Sequence, residues 1–145
     1  MDNKENNNHT IVVSDLHLSD AEPMIEGNPL WKKFRQKQYF IDNDFKEFVE
    51  KITTEINEPI ELVLNGDIFD FDSVMSLPKK DEIKYSTYES IRGLGPTEEK
   101  STFKVQRILE DHHVWLESLA SFLKDGNKIV FVIGNHDVEI HWPKV

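Results

Sequence analysis

The stretch Lys128-Ile129-Val130-Phe131-Val132-Ile133-Gly134-Asn135-His136-Asp137 decides how this chain is read. After the leading lysine, five residues are apolar and β-branched or aromatic, as in a strand buried in a sheet. The last four are polar and begin where the apolar run stops. Two earlier runs are built the same way: residues 10–14 (TIVVS) lead into Asp15-Leu16-His17, and residues 60–65 (IELVLN) lead into Gly66-Asp67-Ile68-Phe69-Asp70. Between the first two runs, Ile41, Phe45, Phe48, Val49, Ile52 and Ile56 fall three and four apart, which predicts a helix over 39–56. Between the last two, an apolar stripe from Val105 to Leu123 predicts one helix over about 99–124, with Lys124 in its last turn and Gly126 as a left-handed cap. Strand, helix, strand, helix, strand defines an α/β chain, β-α-β-α-β, with parallel strands joined by right-handed crossovers.

In open α/β sheets, ligands collect outside the carboxyl ends of the strands. The three polar clusters stand at such ends. Parallel pairing therefore brings them to one edge, although 52 residues separate Asp15 from Asp67 (67 − 15) and 68 separate Asp67 from Asn135 (135 − 67). Carboxylate, imidazole and amide oxygen without thiolate suit Mn²⁺, Fe or Zn²⁺. Alternation along an extended strand end would point Asp15 and His17 the same way, so that they share one ion. Asp67 follows a glycine that lets the backbone approach closely, and its two oxygens could bridge two cations. Asn135 offers a neutral oxygen. Two ions roughly 3.5–4 Å apart would clamp a phosphoryl group and activate a water. His136 would stand beside them as a proton donor, with Asp137 holding the other ring nitrogen.

Asp-x-His, Gly-Asp-x-x-Asp and Gly-Asn-His-Asp, in this order, resemble the signature of the calcineurin-like metallophosphoesterases. The resemblance implies the N-terminal half of an αββα sandwich and hydrolysis of a phosphate mono- or diester. It further implies that Asp15 and His17 hold the first metal and that Asp67 bridges. Asn135 would hold the second metal, His136 with Asp137 would act as the acid, and Asp70 would support the site without ligating. The family's Ser/Thr phosphatases carry an arginine where this sequence has Phe71, and the wording here is closer to the bacterial branch of phosphodiesterases, pyrophosphatases and nucleases. The family pattern also continues with an isolated His and a Gly-His-x-His segment. This sequence has neither, and His141 lies too close to His136 to match. The expectation is therefore a partial domain over 10–145, preceded by an Asn-rich tail over 1–9 that includes His9. A partner or a further C-terminal segment would complete the site, and the 145-residue chain would bind metal weakly and turn over slowly.

Each motif alone has an ordinary explanation: Asp-x-His as a turn whose Asp caps an amide, Gly-Asp-x-x-Asp as a common loop. Ordered coincidence at three strand ends is what favours the metal reading. A doubly wound nucleotide-binding domain would need a Gly-rich turn after the first strand, and Ser14-Asp15-Leu16-His17 has none. The alternative is a non-catalytic metal-binding or interaction module, but such a scaffold has little reason to keep His136 beside Asp137. His112 and His113 read as a partly buried helical pair, and Lys32, Lys33, Arg35 and Lys37, around Trp31 and Phe34, as a solvated basic face. Residues 18–38 and 71–96, rich in Pro and Gly, read as coverings or insertions.

Composition limits the setting. The chain has no cysteine, which excludes disulfides and thiolate sites, and its polar start lacks the apolar stretch of a secretory signal. With no apolar run long enough to span a membrane, a cytoplasmic location is expected. A net charge of −10, from 17 basic and 27 acidic residues, offers nothing general to nucleic acid or anionic lipid. A phosphorylated small molecule or phosphodiester would be accepted only once cations offset that field.

Overall fold

A computed structural model of the protein describes residues 9–21 and 35–145. The expectations for residues 1–8 and for Trp31, Lys32, Lys33 and Phe34 lie outside them. Three strands, β1 (His9–Val13), β2 (Ile60–Asn65) and β3 (Lys128–Val132), form a parallel sheet in the order β1-β2-β3. His9 belongs to β1, where it pairs with Ile60, rather than to the tail.

The register explains the alternation within each strand. Ile11, Leu62 and Ile129 lie abreast, as do Val13, Leu64 and Phe131. These two rows meet Phe45 and Val49 of α1 (Asp42–Glu55), Val105 and Ile108 of α3 (Glu98–Asp111), and Trp115, Leu119 and Phe122 of α4 (His113–Lys124). Leu62 and Leu64 are completely enclosed; burying such a side chain stabilises by about 1.5–3 kcal/mol, so this face carries the core. The intervening row, Val12, Val63 and Val130, points to the opposite face. There Val12 remains 59% exposed and Val132 42%, while Lys128 and Glu61 form an ion pair of 2.6 Å across the strands. The described structure is thus an α/β half-sandwich with one sheet face packed by helices.

The apolar stripe expected to make one helix makes two. α3 ends at Asp111, His112 turns out of helical geometry (φ −105°, ψ 36°), and α4 starts at His113. No Pro or Gly marks the break. Its cause is tertiary: the His112 ring is buried, with Nδ1 2.7 Å from Asp42 Oδ2 and Nε2 2.9 Å from the Ser19 carbonyl oxygen. Gly126 closes α4 with φ 85°, as its position implied.

Residues 71–96 carry a 3-10 turn (Phe71–Ser73) and a short α2 (Glu89–Arg92). The Glu89 carboxylate accepts from the Ser86 and Gly95 backbone nitrogens and from the Lys100 ammonium. The Lys100 bond leads these causes in holding the Glu89 carboxyl at about 2, against an ordinary 4.5. A depressed carboxylate supports the fold above its unfolded value and loses that support as pH falls through the folded one. NMR titration of Glu89 is therefore expected to centre near pH 2, with the 86–100 connection intact at pH 4. A midpoint near 4.5 would show that these bonds do not form in solution. No helix among the described residues is long and apolar enough to cross a membrane.

Candidate metal centre

The polar turns after β1 and β2 are laced together as a continuation of the ladder. Asp15 N donates to Gly66 O (3.1 Å), His17 N to Asp67 O (3.0 Å), Leu18 N to Ile68 O (2.8 Å) and Asp70 N to Leu18 O (2.8 Å). Asp15, His17 and Asp67 all take left-handed backbone, with φ of 57°, 47° and 52°. The expected strand alternation is therefore replaced: Asp15 and His17 approach each other through two left-handed turns, not along an extended end. Such non-glycine conformations cost about 1–3 kcal/mol each and persist only when their surroundings over-determine them, as this lacing does.

The third turn interlocks with the second in both directions. His136 N donates to Asp67 Oδ1 (2.9 Å), while the Asp137 carboxylate accepts from Phe69 N (2.6 Å), Ile68 N (3.2 Å) and Gly134 N (3.0 Å). A Cβ on Gly134 would overlap Asp67 Oδ1 and its backbone nitrogen, so only glycine permits this approach. Asp137 does not hold the His136 ring, contrary to what its adjacency in sequence predicts. Its carboxylate is completely buried and occupied by backbone N–H groups of the two turns. Free N–H groups of buried turns need acceptors, and an ionised carboxylate meets three at once.

The carboxylate beside the His136 ring is that of Asp70. Its Oδ1 lies 3.5 Å from His136 Nδ1 and its Oδ2 lies 4.0 Å from His17 Nδ1. Asp70 is itself held by Ser73, through backbone N (3.1 Å) and Oγ (2.6 Å). The two imidazoles meet edge to face with centroids 4.9 Å apart. Ligand atoms of Asp15, His17 and Asp67 lie within 4.8 Å of one another, as do those of His17, Asp70 and His136. His17 is common to both groups. Asn135 is exposed on the same turn as His136.

This donor set fits divalent cations. The Asp15 side chain is 67% exposed, and the same crowding of oxygen and imidazole donors would bring like charges together unless cations entered. His136 Nδ1 is buried and makes no hydrogen bond, its nearest carboxylate oxygen being Asp70 Oδ1 at 3.5 Å.

Residues that sequence reading passed over brace the turn after His17. Asp111 Oδ2 accepts from Ala21 N (2.8 Å), Asp111 Oδ1 meets Lys37 Nζ (2.8 Å), and His112 holds Ser19. Burial raises the Asp111 carboxyl, but Lys37, the Ala21 amide and Arg107 outweigh it and hold the group below its ordinary value. Asp20 accepts from Ser76 N (2.7 Å) and pairs with Arg35, both fully buried. Arg35 is thus corrected from the solvated basic face to an internal strut. Behind His136, buried Glu139 pairs with buried Lys104 at 2.6 Å and so fastens the third turn to α3. Only Asp70-x-x-Ser73 had a local signal, the spacing of an Asp that caps the amide three residues on.

Carboxylates and imidazoles thus gather at the ends of parallel strands in a cluster whose donors could hold a divalent cation. The chain belongs to the calcineurin-like phosphoesterases, whose family model matches residues 9–144. Nothing among curated proteins or solved structures matches it. Family membership supports the hydrolase class and divalent-metal binding.

Proposed function

We propose that this protein hydrolyses a phosphate mono- or diester in a reaction that requires two divalent cations, drawn from Mn, Fe or Zn. Asp15 and His17 would hold one cation, Asp67 would bridge and Asn135 would hold the other. When bound, the cations supply an activated water and positive charge for the phosphoryl oxygens. His136 delivers a proton to the leaving oxygen. Asp70, 3.5 Å from Nδ1, steadies that ring, a separation that shortens once substrate is positioned. Asp137 contributes by holding the turns that carry Asp67 and His136 in register.

What supports the reading is the meeting of Asp15, His17, Asp67, Asp70 and His136 at one sheet edge, in a chain of this family. Two four-coordinate ions have eight ligand positions. The four proposed ligands fill five if Asp67 counts twice. Water and substrate would take positions among the rest. Turnover of p-nitrophenyl phosphate and bis-p-nitrophenyl phosphate is expected to require added Mn²⁺ and to stop with EDTA. Turnover indifferent to EDTA would sink the metal-dependent reading. Mn²⁺ binding with no turnover of either ester would favour a non-catalytic metal-binding module.

A further inference from the structure

Beside the cluster, a cavity of about 180 Å³ opens against His17 and Asp70. Its other walls come from Leu16, Tyr39, Phe40 and His112, so its lining is mainly apolar and partly aromatic. One wall of the cavity is built before any ligand arrives. Phe40 stacks on the His112 ring with centroids 4.1 Å apart and an interplanar angle of 27°. That ring cannot swing away, because Asp42 and the Ser19 carbonyl hold its two nitrogens. Tyr39 also lines the cavity and is half exposed.

We propose that this cavity receives the organic group of the phosphoester, and that the group is small, apolar and planar. The inference rests on the phosphoester reading above and adds the substrate class. His17 and Asp70 belong both to the cavity and to the ligand cluster, so a phosphoryl group at the cluster directs its ester substituent into this space. An apolar cavity of about 150 Å³ takes a benzene ring, whereas drug-sized ligands need about 300 Å³ or more, so one ring with a short linker fits. A fixed aromatic wall favours a planar group over a short alkyl one at little ordering cost.

The test measures calorimetric binding of phenylphosphonate and methylphosphonate to the Mn²⁺-loaded protein, which needs no turnover. Phenylphosphonate is expected to bind about fivefold tighter, the scale of one good aromatic contact. Phe40→Leu should remove that preference and Phe40→Tyr should keep it, with unchanged urea midpoints showing that the fold is intact. Equal binding of the two phosphonates to the wild-type protein, alongside Mn²⁺-dependent turnover, overturns the aryl subsite and leaves the phosphoesterase reading standing. An aryl preference lost in Phe40→Leu, in a protein that turns over neither nitrophenyl ester, supports the subsite and sinks the catalytic reading. Binding of neither phosphonate overturns both.

Discussion

Asp137→Ala is expected to lower the unfolding free energy by about 3 kcal/mol or more. The substitution strips the acceptor from three backbone donors, Ile68 N, Phe69 N and Gly134 N, where Asp137 is fully enclosed. A buried donor left unsatisfied costs about 1–3 kcal/mol, and bonds to an ionised acceptor lie at the upper end. Those donors sit on the turns that carry Asp67 and His136, so loss of Asp137 should loosen metal binding as well. Urea unfolding with an unchanged m-value measures the first effect, and Mn²⁺ calorimetry measures the second. Asp137→Asn keeps one acceptor oxygen and should lose less. A stability change within about 0.5 kcal/mol of wild type for Asp137→Ala, the range of an ordinary surface substitution, would mean the turn-locking bonds carry no weight.

Asp67→Asn is expected to separate chemistry from folding. Asparagine keeps a carbonyl oxygen that can still accept from His136 N, now at 2.9 Å from Asp67 Oδ1, so the interlock of the turns should survive. What disappears is the charge and one anionic oxygen at the position proposed to bridge two cations. Even outer partners of metal ligands typically contribute 10–100-fold, so loss of the bridging carboxylate should reduce turnover by about a hundredfold or more. Removing one carboxylate from a cluster that also holds Asp15 should leave the metal-free protein as stable as before, or more so. Nitrophenyl ester turnover and metal-free thermal unfolding, measured side by side, decide the matter. Equal rates for wild type and Asp67→Asn would remove the bridging proposal.

The open valine face of the sheet sets a condition for these measurements. Val12 and Val132 are exposed in the described structure, and exposed apolar surface of this kind favours association. Each variant therefore needs its oligomeric state recorded with its stability.

Much of the candidate site could be read locally because its residues follow recognisable strands. Asp15, Asp67 and His136 each stand just past an apolar run, and parallel pairing of those runs is enough to bring them to one edge. The details that tertiary contacts govern were not legible. The left-handed turns at Asp15 and His17 depend on hydrogen bonds to Gly66 and Asp67, about fifty residues away, and no local propensity encodes them. The interruption at His112 has no helix-breaking residue. It exists because a buried imidazole is drawn to Asp42 and Ser19, 70 and 93 residues distant.

The same division separates Asp70 from Asp137. The α/β order of elements, the strand positions, the family signature and the gathering of oxygen and imidazole donors at strand ends are all legible in the chain's local patterns. Those follow from hydrophobic period and residue chemistry, which act over a few residues. Which aspartate faces the His136 ring and which one locks the turns follows from contacts between distant turns. Adjacency in sequence put Asp137 next to His136, yet unpaired backbone N–H groups from the neighbouring turn took that carboxylate inward. Asp70, 66 residues earlier in the chain, was left beside the imidazole.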